Sequence, residues 1–144
     1  MHMEFFNCLL LVLCYFITSN AEDSMFGVSA CKKAYGLRED EAKELLVNEI
    51  ATDENNVSQR CFVVCVLSKR GAMENGVMKL DIVIPETKEA FQESGYSFNE
   101  DEFRTGVQKC NEQTAEGKCK KSYETWKCFL KFAAKYGMEH KPAE

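Results

Sequence analysis

The chain has 144 residues, with 18 Lys and Arg against 23 Asp and Glu and a formal net charge of −5. That length suits one domain, and the mild acidity favours solubility. No basic stripe interleaved with aromatics occurs, which argues against nucleic acid or an anionic membrane as partner.

Residues Cys8 to Ile17 form an uncharged apolar run, followed by Ser19-Asn20-Ala21 with small residues where a signal peptidase reads. The run is shorter than the roughly 18 residues of a spanning helix. Residues 1–21 therefore read as a secretory leader cut after Ala21, although no Lys or Arg precedes the apolar run. The remainder, 22–144, reads as one helical domain of 123 residues, and it keeps six of the eight cysteines. No second apolar run follows, so no stable membrane insertion is expected.

Glycines and capping residues cut this domain into helical lengths. Met25 to Tyr35 is a first helix opened by Ser24 and closed by Gly36. Asp40 caps a second, whose Ala42, Leu45, Leu46 and Glu49 share one face, the first three of them apolar. Thr52 to Asn56 is a polar loop. Asn56 or Ser58 begins a third helix that runs to Arg70, with Gly71 as its stop. Its middle, Cys61 to Leu67, is apolar all round, as in a helix buried on every side. Asn56-Val57-Ser58 is a formal glycosylation sequon, but helix capping by Asn56 or Ser58 is the preferred reading. Asn75-Gly76 marks a turn.

Pro85 opens a short fourth helix through Phe91, ended by Ser94-Gly95. Asn99 caps a fifth with Phe103, Val107 and Cys110 on one face, and Glu102 supplies a capping-box partner. The last helix runs from Cys119 or Lys120 to Lys135, with Gly137 as the stop. Two apolar stripes cross it: Tyr123, Trp126, Leu130 and Ala133, then Cys128, Phe129, Phe132 and Tyr136. The fold class is all-α, a single compact domain of five to six helices.

The six cysteines are Cys31, Cys61, Cys65, Cys110, Cys119 and Cys128, and an even set in a short exported chain reads as disulfides. Cys61 and Cys65 stand one helical turn apart, too far to bond without breaking the helix, so they staple it to two different partners. The remaining pairings stay open on these grounds. A zinc site would need closer ligand pairs or neighbouring histidines. No metal or cofactor is expected.

The intervals between these cysteines are 29, 3, 44, 8 and 8 residues. This order resembles the insect odorant-binding proteins, general odorant- and pheromone-binding proteins included, with Cys-x3-Cys and the final Cys-x8-Cys as the most diagnostic spacings. The resemblance spans Cys31 to Cys128. It implies an interlocked pairing, Cys31–Cys65, Cys61–Cys119 and Cys110–Cys128, around an apolar cavity. It also implies a secreted carrier of odorants, pheromones or similar lipophiles. An olfactory receptor or a second copy of the chain would be its further partners. The 44-residue interval is long for the family, and the extra length falls between Gly71 and Pro85.

A hollow interior forfeits dispersion contacts, and crosslinks between helices can offset that loss. Candidate lining residues are Phe62 and Val66 on the third helix, Phe91 on the fourth, Val107 on the fifth, and Trp126, Phe129 and Phe132 on the sixth. Tyr136 is a candidate to orient a polar end group with its hydroxyl, and Tyr136 and Met138 in the tail could cover the pocket mouth. Each has a plain-core alternative. His140, the one histidine after the leader, reads as an exposed tail residue in preference to a pH switch. Catalysis is not expected: no positioned base, phosphate loop or free thiolate is evident, and Glu39-Asp40-Glu41 reads as a solvated helix start. The rival class is a secreted disulfide-rich helical signalling or toxin-like protein acting on a receptor.

Overall fold

The computed structural model describes residues 21–142. The leader read over residues 1–21 lies outside them but for Ala21. Six helices and one small hairpin follow in order: α1 Ala21–Ala34, α2 Glu39–Asn48, α3 Val57–Lys69, β1 Met73–Glu74, β2 Val77–Met78, α4 Leu80–Glu93, α5 Glu100–Asn111 and α6 Lys120–Glu139.

Local chemistry sets most of the ends. Helix α1 closes on Gly36 at φ 63°, with Leu37 N–H donating to Lys32 O at 3.1 Å and Gly36 N–H to Lys33 O at 3.4 Å. This is the Schellman arrangement, which needs a left-handed residue and so favours glycine. The helix already includes Ala21, the first described residue, so it extends ahead of the Ser24 start that the sequence suggests. In α2 the capping position falls to Arg38, with no side-chain cap, rather than to Asp40. Glu39, Asp40 and Glu41 instead crowd the first turn, where the helix dipole favours carboxylates. The Asn56 side chain caps α3 by accepting Gln59 N–H at 3.2 Å, and Asn99 caps α5 by accepting Glu102 N–H at 3.1 Å.

Two further elements differ from the sequence reading. Helix α4 begins at Leu80, not at Pro85, and carries that proline inside. An interior proline removes one backbone hydrogen bond and costs about 3 kcal/mol. Burial of Val83 and Ile84 on the first turns, with Ala90 and Phe91 further on, offsets it. Helix α6 passes through Gly137 and ends at Glu139, because Gly137 is buried at a helical position rather than turned out of it.

The turn at Asn75-Gly76 joins two short antiparallel strands, Met73 facing Met78 and Glu74 facing Val77. Both turn residues have positive φ, 53° and 80°, which is what a two-residue hairpin turn requires. The hairpin is tied down at its second strand and at its turn. Asn111 on α5 accepts Met78 N–H at 2.7 Å and donates to Met78 O at 3.1 Å. Lys121 and Thr125 on α6 donate to Gly76 O at 2.8 and 3.1 Å. Part of the long interval between the third and fourth cysteines is thus an anchored flap.

Three disulfides join the helices: Cys31–Cys65 links α1 to α3, Cys61–Cys119 links α3 to the start of α6, and Cys110–Cys128 links α5 to α6. Closing loops of this size contributes roughly 3–4 kcal/mol each in the chain-entropy picture. Helices α2 and α4 contain no cysteine. Helix α4 is held by aromatic packing. Phe91 meets Tyr96, Phe98, Phe103 and Tyr136 with ring centroids 5.5–6.2 Å apart. Phe103, fully buried, also touches Phe129, Phe132 and Tyr136. Such edge-on and tilted ring contacts are the favoured geometries.

Candidate functional site

Helix α2 leans on α3 near the middle of α6, and an apolar cleft of about 20 Å³ lies between the three. Leu45, Leu46 and Glu49 form one wall, Phe62, Val63, Val66 and Leu67 the second, and Trp126 the end. The spacing explains the assembly: Leu45 and Glu49, and Phe62 and Val66, stand four apart and share a helix face. The free volume is that of about one water molecule. Aliphatic walls close on an empty apolar space because each gap forfeits dispersion contacts.

The loop after α2 is latched to α6. The Trp126 indole N–H donates to Glu49 O at 2.7 Å. Ala51 N–H donates to the Tyr123 hydroxyl at 2.9 Å, and Lys127 pairs with Glu54 at 2.9 Å. Glu54, so paired, sits below the usual carboxylate range, held there first by its hydrogen bond from Lys127.

Glu49 is the unusual member. It ends α2 at φ 63°, a left-handed conformation that costs a side-chain-bearing residue roughly 1 kcal/mol. Its N–H donates to Leu45 O at 2.7 Å, so both backbone groups of the residue are fixed. Its side chain is only 8 % exposed, and Oε2 has no hydrogen-bond partner among the described residues. Burial pushes its carboxyl pKa up to about 8.

Of the predicted lining residues, Phe62, Val66 and Trp126 meet at this cleft. Phe129 stacks on Trp126 at 5.5 Å, one layer behind. Phe91, Val107, Phe132 and Tyr136 do not line it. Val107 is fully buried on α5. Phe91 and Tyr136 belong to the aromatic cluster, as does Phe132, which also borders a shallow groove between α5 and α6. The Tyr136 hydroxyl accepts Asn99 N–H at 2.5 Å, so it ties the start of α5 rather than facing a ligand in the cleft. Met138 is 60 % exposed.

His140 corrects the expectation of an exposed tail residue. Its ring stacks on Tyr136 at 3.7 Å, with Nδ1 2.8 Å from Tyr136 O and Nε2 3.7 Å from Glu102. Ser97 N–H donates to its carbonyl at 3.3 Å, which fixes the end of α6 to the loop before α5.

Leu45, Leu46, Glu49, Val63 and Leu67 are cleft residues that the candidate set omits. For the first three a signal existed: an apolar helix face that continues into a glutamate.

The fold is a small helical domain cross-braced by three disulfides, with an apolar cleft inside. The PBP/GOBP family model matches residues 20–132, and the chain belongs to that family of insect odorant- and pheromone-binding proteins. No curated protein and no solved structure matches the chain. Among the described residues no helix is long and apolar enough to cross a membrane.

Proposed function

We propose that the protein is a secreted carrier that takes up small hydrophobic molecules, odorants, pheromones or similar lipophiles, and moves them through aqueous extracellular fluid. The observation that carries this function is the apolar cleft between α2, α3 and α6 within the disulfide frame. Transfer of a lipophile there gains roughly 25 cal/mol per Å² of apolar area withdrawn from water. Entry requires the cleft to widen, and α2 is the wall that no disulfide ties. The leader read from residues 1–21 and the paired cysteines support the reading of action outside the cell.

The test uses the protein's own reporter. Trp126 is the single tryptophan, and it lines the cleft. Adding a medium-chain ketone or alcohol should change its emission saturably, with native mass spectrometry showing a complex of equal stoichiometry. Unchanged emission together with no complex would reject the carrier function and leave a receptor-directed signalling role.

A further inference from the structure

A carboxyl group in a greasy cleft, with one oxygen, Oε2, lacking a hydrogen-bond partner among the described residues, is costly to bury. The backbone of Glu49 is held in that position by its surroundings. Its backbone is locked in the left-handed region between Leu45 O and the Trp126 indole. A glycine or asparagine would meet the turn requirement with less strain. The residue also stands on a border. It lines the inner cleft and, on its other side, an open groove beside Ile50 and Leu130. A molecule passing from that groove into the cleft would pass the carboxyl.

We propose that Glu49 is the polar anchor of the cleft, donating a hydrogen bond from its carboxyl to an acceptor oxygen, a ketone, aldehyde or ester carbonyl, at one end of an otherwise apolar ligand. The proposal rests on the carrier function given above and names its ligand class. Three features set the chemistry. First, the groups facing Glu49 across the cleft are uncharged: Phe62, Val63 and Val66 from α3 and Trp126 from α6. Second, the charged groups on the groove side are Glu54, Lys127 and Lys131, and Lys127 is already committed to Glu54 at 2.9 Å. Third, the upward shift of the Glu49 carboxyl comes from burial, with no cation contributing, so near neutral pH the acid keeps its proton and is a donor. An ammonium ligand would instead demand a buried ion pair, with two ions to desolvate. A carbonyl oxygen asks for neither.

The test compares three ligands of equal chain length: a methyl alkyl ketone, the alkene in which a methylene replaces its oxygen, and a primary alkylamine. Affinities are read from Trp126 emission in the wild type, Glu49→Gln and Glu49→Leu. One good hydrogen bond predicts that the wild type prefers the ketone to the alkene by about tenfold at about pH 6. The preference should fade by about pH 9.5, where the carboxylate can only accept. Glu49→Gln, which keeps an N–H donor that does not titrate, should hold the preference at both pH values. Glu49→Leu should bind ketone and alkene alike. Binding of ketone and alkene without discrimination by the wild type, or a ketone preference that survives in Glu49→Leu, overturns the anchor while the carrier function stands. An amine bound more tightly than the ketone, and weakened in Glu49→Gln, also overturns it in favour of a cation site. Failure of the wild type to bind any of the three overturns the carrier function and the anchor with it.

Discussion

The two ends of the interior are built on different plans. Toward the C-terminal half of α6, aromatic rings fill the space solidly: Phe91, Phe103, Phe129 and Tyr136 are all 2 % exposed or less, and their rings contact one another or shared neighbours. Toward α2, mainly aliphatic side chains surround a gap, and one buried carboxyl has an oxygen unserved. The solid end secures α4, which carries no disulfide, by ring packing. The gapped end leaves α2, equally free of disulfides, held by its loop latches and by α3. Under the carrier function proposed above, stability and ligand access would fall to different parts of one small core.

The strongest challenge to this division is Phe103→Ala. Removing the ring at the centre of the aromatic cluster should cost roughly 4 kcal/mol in denaturant unfolding, because the cavity left behind cannot collapse fully. Ligand affinity of the folded fraction should change little. A comparable loss of affinity would mean that the two ends act as one.

Next comes the pH dependence of stability. The Glu49 carboxyl has a native pKa of about 8 against an ordinary 4.5, so the native state keeps a proton that the unfolded chain releases between those values. Stability should therefore fall as pH rises through this window, by on the order of 3 kcal/mol by about pH 7, and level off above the native pKa. Glu49→Gln should flatten that part of the curve. Thermal melts at a series of pH values check the sign and the size.

Gly106→Ala probes the solid end more gently. A β-carbon at this position would lie 2.0 Å from the edge of the Phe132 ring, so the ring must move. Overpacking of this kind should cost about 2 kcal/mol and displace Phe132 toward solvent. Ligand-induced change in Trp126 emission should persist. The smallest effect belongs to Leu46→Ala at the half-buried edge of the cleft. It should cost about 1 kcal/mol and widen the opening, with larger ligands gaining affinity over smaller ones.

Much of the fold was legible because capping and periodicity act locally. Asn99 with Phe103, Val107 and Cys110 announces α5 almost to the residue, since one cap and one apolar stripe both obey the same helix. Pro85 misled for the opposite reason. Its local penalty is real, but Val83 and Ile84 gain more by burial than the proline costs, and burial is not visible to a helix-start rule. The β-strands around Asn75-Gly76 are two residues each, too short to show any alternation, so only their turn was readable. The pairing of the cysteines came from likeness to a family, not from spacing, which excludes only the Cys61–Cys65 bond.

The site was less legible than the frame. Large aromatics on α4 and α6 looked like pocket walls, yet rings pack best against other rings, and Phe91 of α4 and Tyr136 of α6 do so. The cleft lies where aliphatic side chains of α2 and α3 meet around Trp126. The signal for it was present in Leu45, Leu46 and Glu49, a greasy face that does not end where the charge begins.

Helix α2 is ten residues long, and no sulfur bridge terminates on it. Under the proposed carrier function, substitutions along it would alter what the cleft admits without asking the crosslinked scaffold to reassemble. Selectivity can drift in such a protein while its architecture is inherited intact, because the two are written in separate stretches of chain.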